Sequence, residues 1–180
     1  MRYIIVLLLF SVLFSCSSIN RSEVSEKSKV PEFVTRIKKL SKIQKLDNWQ
    51  EEYWHNGILY SADGLKLADN KNDVSNRIFV YIKESELSIS DYIKERNEYR
   101  TQNYNAYKVD IELKETINGP CYVESIKTRK NEKYYKELIN FYKYRGDIYV
   151  ISYWAEVKHY KLYLNEAKTM MNSFEITKRK

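Results

Sequence analysis

The hydrophobic positions change period several times along the chain, and each change marks an element. Over 31–46 the apolar residues Phe33, Ile37, Leu40 and Ile43, or Gln44 at the last step, recur every three or four positions. That spacing predicts a helix with Pro31 at its first position. Arg36, Lys38, Lys39, Lys42 and Lys45 fill much of the remainder. Such a helix either lies on an anionic surface or packs on its own domain with a solvated lysine face, and the second is the expectation. From Tyr53 the period shortens to that of strands. Residues 57–61, an Asp63-Gly64 turn and 65–67 read as a hairpin, followed by a polar loop over 69–73. The nearly continuous apolar run over 77–82 is that of a strand covered on both faces.

Ser88-Ile89-Ser90-Asp91 places Ser88 as a helix N-cap. Ile89, Tyr92, Ile93, Arg96 and Tyr99 form the buried stripe that carries this helix to about Gln102. Residues 107–114 alternate strictly, with Tyr107, Val109, Ile111 and Leu113 expected inward and Lys108, Asp110, Glu112 and Lys114 outward. Turns at Asn118-Gly119, 129–132 and Arg145-Gly146-Asp147 separate three further strands, over 121–128, 134–144 and 148–155. These strands predict an antiparallel meander. A last helix over 157–172 buries Val157, Tyr160, Leu164, Ala167 and Met171, with Phe174 as a plug behind it. The order predicts an α+β fold, an antiparallel sheet of about five to seven strands flanked by helices, as one domain over 31–180.

Composition changes this picture only at the front. A hydrophobic fraction of 43% and only four glycines and two prolines fit a packed domain with short loops. Residues 4–14, behind Met1-Arg2-Tyr3, are almost unbroken hydrocarbon. That run is shorter than the roughly 20 residues that span a bilayer, so 1–15 read as a signal peptide. It ends in Leu13-Phe14-Ser15-Cys16, which resembles the bacterial lipobox. The resemblance implies cleavage before Cys16 and acylation of Cys16, hence a lipid-anchored protein of the cell envelope. More than one acyl chain is needed, because a single chain anchors only marginally. Residues 16–30 then form the lipidated Cys and a polar, flexible tether. Ser17, where inner-membrane retention in enteric-type sorting typically has Asp, implies by resemblance to that rule the outer membrane over the inner. Once Cys16 is modified, Cys121 has no partner for an internal disulfide and reads as a small buried hydrophobe.

The net charge is +7, and losing Arg2 with the leader leaves 30 basic against 24 acidic residues. A basic, Tyr-rich cytosolic domain would point to nucleic acid, but export argues against it and toward anionic lipid or an acidic protein partner.

The segment from Gly146 through Tyr149 and Tyr153 to Ala155, the helix behind it, and Asn172-Ser173-Phe174-Glu175-Ile176 resemble the end of a PsbP-like domain. That group includes photosystem extrinsic proteins, a Ran-binding regulator and DcrB-like envelope lipoproteins. By element order the resemblance covers about 53–176, and by residues the last third. It implies a sandwich of helices around an antiparallel sheet, without catalysis or cofactor, acting as a binding or assembly module.

The sequence carries no catalytic constellation that would argue otherwise. His55 follows Glu51 and Glu52, and His159 follows Glu156, but neither has a third ligand in view for a metal. No Gly-rich phosphate loop and no Gly-x-Ser-x-Gly elbow occur. Arg145-Gly146-Asp147 is better explained as a hairpin turn than as an adhesion tripeptide. The aromatic enrichment is the one feature with binding chemistry. Tyr142 and Tyr144 share one strand face, as do Tyr149 and Tyr153, with Trp154 adjacent. These five residues form the candidate binding surface if they face water. The competing reading is that tyrosines replace Phe and Leu at the sheet–helix boundary. The expected role is a non-enzymatic adaptor or assembly factor for a protein partner; the alternative is a receptor for a small glycan or lipid.

Overall fold

The computed structural model describes residues 30–62, 76–130 and 132–178, without the Lys108 side chain. Cys16, the tether and the Asp63-Gly64 turn lie outside the described residues.

Long alternating segments joined by short connections fold back on themselves. β5 (Tyr107–Thr116), β6 (Gly119–Lys130), β7 (Lys133–Tyr144) and β8 (Asp147–Glu156) are successive antiparallel neighbours. At the β7–β8 turn Arg145 and Gly146 have φ of 52° and 82°, the left-handed pair whose twist matches a tight hairpin. β2 (Trp49–Trp54), β3 (Gly57–Ala62) and β4 (Arg77–Glu84) form a shorter meander, joined to the first where β4 pairs with β8. The antiparallel sheet therefore has seven strands in the order β2-β3-β4-β8-β7-β6-β5. β2 lies on one edge of β3 and β4 on the other, and the 65–67 arm of the hairpin expected over 57–67 lies outside the described residues.

α2 (Ile89–Tyr104) carries the chain from β4 across one face of the sheet to the far edge. Its start is set by Ser88, whose Oγ accepts the Asp91 N–H at 3.1 Å, and it ends where Asn105 turns left-handed. Tyr92 and Ile93 pack on Ile126, Ile139, Phe141, Ile148 and Val150, whereas Tyr99, expected in the same buried stripe, is exposed and meets Tyr104. The opposite face carries α1 (Glu32–Leu40), α3 (Val157–Tyr160) and α4 (Leu164–Asn172). There Val34, Ile37, Met170 and Phe174 join Ile58, Ile78, Ile151 and Tyr153 in the larger core. Helices on both faces of one sheet make the sandwich that the pattern predicts.

α1 stops short of residue 46 because Ser41 and Lys42 become β1 (Ser41–Lys42), paired with β9 (Glu175–Ile176). Its apolar side is buried, and Arg36 and Lys38 pair with Asp147 and Glu51 at 2.7 and 2.5 Å, so it packs on its own domain. The closing helix is two helices, broken at 161–163, which turns Val157 outward and leaves Tyr160, Ala167, Met170 and Met171 buried.

Candidate functional site

Strand register decides which of the aromatic residues share a surface. Tyr142 pairs with Tyr149, Leu138 with Tyr153 and Tyr144 with Asp147, so the four tyrosines lie on one face, toward α1 and α4. That face is covered. Tyr142, Tyr149 and Tyr153 are buried, and Tyr142 stacks on Phe174 at 5.6 Å. The Tyr153 hydroxyl donates to Asn76 Oδ1 at 2.6 Å and lies 3.0 Å from the Tyr160 carbonyl oxygen, a satisfied core position. The expected five-residue surface is corrected accordingly: three of its members are core, Tyr144 is half-buried, and Trp154 faces the other way. Helices remote in sequence cover the rings, and no local signal in 142–153 announces them.

The α2 face is held by charge as well as by apolar contact. Arg96 reaches Glu124 at 3.0 Å and Glu137 at 3.4 Å, Arg100 also pairs with Glu137, and Asn97 donates to Glu124. Burial pushes the Glu137 carboxyl up, but Arg100 and Arg96 outweigh it and hold the group below the usual range. For Glu124 burial wins over Arg96 and Asn97, and its carboxyl is raised. This network fixes α2 over β6 and β7, and by doing so leaves β5 bare.

β5 is the edge of the sheet, and its described side chains are exposed apart from a half-buried Thr116. Val109, Ile111 and Leu113 are 38%, 49% and 58% exposed. Val109, Ile111 and Leu113 share a face as expected, but a register irregularity between Tyr107 and Asp110 pairs Tyr107 with Lys127 and turns it to the other face. The inward burial fails as well, because α2 stops one strand short. Between α2 and β5 runs a groove of about 630 Å³ lined by Ile93, Asn97, Glu98, Val109, Ile111 and Tyr122. It combines an unpaired strand edge with an apolar row, a surface that soluble proteins normally blunt. On the opposite flank of α2 lies a second hollow of about 300 Å³, walled by Trp54, Phe79, Tyr104 and Trp154.

The remaining candidates are structural. Cys121 is buried, and that burial raises its thiol. His55 occupies the β2–β3 turn at φ 52° beside Trp54, and His159 is half-buried on α3. Among the described residues no cluster of His, Cys, Asp and Glu could hold a metal, and no helix is long and apolar enough to cross a membrane.

The architecture is an α+β sandwich, a fold shared with PsbP-like structures. It resembles cyanobacterial PsbP (CyanoP) from Synechocystis sp. PCC 6803, with a TM-score of 0.53 at 12% identity over 78% of this chain and 88% of that one. LpqN of Mycobacterium tuberculosis, described as involved in cell envelope biogenesis, gives 0.54 at 12% over 77% and 83%. A protein from Bacteroides thetaiotaomicron gives 0.51 at 13% over 78% and 46%. No family model and no curated protein matches the sequence. At these identities the likeness concerns the fold.

Proposed function

We propose that this chain is a non-enzymatic, lipid-anchored protein of the cell envelope, on the outer membrane rather than the inner. Its domain binds a protein partner, as adaptor or assembly factor, along β5. The observation that carries the reading is the ten-residue edge strand with Val109, Ile111 and Leu113 in a row beside the α2 groove. An extended partner segment added to this edge gains main-chain hydrogen bonds and places alternate side chains in the groove. Asp110, Glu112 and Glu115 outnumber Lys114 among the described charges on the strand, so a basic, apolar-alternating segment suits it. Anchoring rests on Leu13-Phe14-Ser15-Cys16, and the envelope role of LpqN is consonant with it.

A photocrosslinking residue at Leu113 of the full chain in intact cells is expected to capture one protein. The adduct should vanish when Ile111→Lys is added, and Cys16→Ala should release the chain from membranes. Capture of lipid alone, or an adduct indifferent to Ile111→Lys, overturns the docking reading. Membrane retention of the Cys16→Ala chain overturns the anchor.

A further inference from the structure

The hollow on the other flank of α2 has a chemistry of its own. Register places Leu59, Phe79 and Ser152 in one row across the sheet, and Arg77, Trp154 and Glu137 in the next. Both rows face the α2 side, where the helix end at Tyr104 leaves a cleft of about 300 Å³. Its walls are rigid. Trp154 stacks on Tyr135 at 4.7 Å, and Trp54 meets Phe79 edge-on at 5.8 Å. Its mouth is open, since Trp54 and Tyr104 are 48% and 40% exposed.

The charges in the cleft do not balance. Glu137, the one carboxylate among the described residues that line it, is already neutralised by Arg96 and Arg100. Arg77 and Lys130 also line the cleft, and neither has an ion-pair partner among the described residues. Arg100 spends its Nη2 on Glu137, while its Nη1 is buried without a hydrogen-bond acceptor. A buried donor left without a partner is unfavourable, so an acceptor arriving there relieves a standing penalty. Flat aromatic walls select a flat apolar body, and surplus cations select a negative group.

We infer that this cleft binds a small aromatic anion, a ring body of one or two fused rings bearing a single carboxylate, sulfonate or phosphate. The ring lies between Trp54, Phe79 and Trp154, and the anionic group meets Arg77, Lys130 and Arg100. The site is separate from the β5 groove, so either can fail without the other.

Calorimetric titration of the full chain in nonionic detergent tests this, with 2-naphthoate as the probe and its neutral amide as the control. Saturable one-to-one uptake of 2-naphthoate is expected, at least tenfold tighter than the amide. Arg77→Glu with Lys130→Glu should weaken 2-naphthoate at least tenfold while leaving the amide unchanged. Ile111→Lys should change neither. Octanoate, with the same charge on a flexible chain, should not displace the probe. Uptake that does not saturate, equal binding of acid and amide, or indifference to the rim reversal overturns the proposal; equal displacement by octanoate overturns the ring assignment. Circular dichroism of the reversed form confirms folding, and Arg77→Gln alone, expected to weaken the acid but not the amide, replaces it if it melts early.

Discussion

Glu124 and Glu137 face the same pair of arginines and are driven in opposite directions. The difference is the number of cations: Glu137 touches both, Glu124 only Arg96, so burial dominates the second and charge the first. The folded Glu137 is more acidic than in the unfolded chain, near 4.5. Its contribution is thus complete above that value and fades as pH falls through the folded one. Glu137→Gln strips Arg96 and Arg100 of their shared counter-charge and is expected to cost about 3–5 kcal/mol near neutrality. Urea unfolding from pH 7 to 3.5 should show that deficit shrinking below about 4.5. Glu124→Gln should cost less at pH 7, because burial already disfavours its charge and Arg96 retains Glu137. An equal cost for both, or a deficit constant with pH, contradicts the assignment.

Where an element is decided by its own residues, the sequence reads true. Ser88 caps α2, Gly146 turns β7 into β8, and 107–116 is a strand, because each depends on neighbours within a few positions. Where a remote partner decides, the reading fails. Nothing in 31–46 shows that β9 will claim Ser41 and Lys42, and Gln50-Glu51-Glu52 hides β2 because that strand is an edge with little to bury. Alternation in β5 says which residues share a face, not whether a helix reaches over it. The same gap separates the four tyrosines, correctly assigned to shared faces, from their burial under α1 and α4. Asn118 illustrates the remote kind of contact. From the β5–β6 turn its Nδ2 donates to the Phe174 carbonyl at 2.7 Å, and its Oδ1 accepts the Ile176 N–H at 2.8 Å. Asn118→Ala leaves two backbone groups of the closing segment without partners and is expected to cost about 1–3 kcal/mol in thermal melting. Asn118→Asp, which keeps the acceptor, should fall between. No loss in either variant means that water replaces the amide at no cost.

At the scale of the molecule, stability runs as a gradient across the sheet. β8 is flanked by β4 and β7 and covered on both faces, whereas β5 has one neighbour and almost no cover. Hydrogen exchange should find the amides of β8 among the slowest and those on the open side of β5 among the fastest. A β5 as slow as β8 in the isolated chain contradicts that gradient. One small feature acts on everything else. The two rungs pairing Ser41 with Ile176 and Lys42 with Glu175 bring the first and last described strands side by side, pointing opposite ways. A hold on both extremities therefore pulls these rungs apart one after another, as a zip opens, instead of sliding long strands past each other. A domain built on broad layers against heat is in this way undone by traction at its slightest seam.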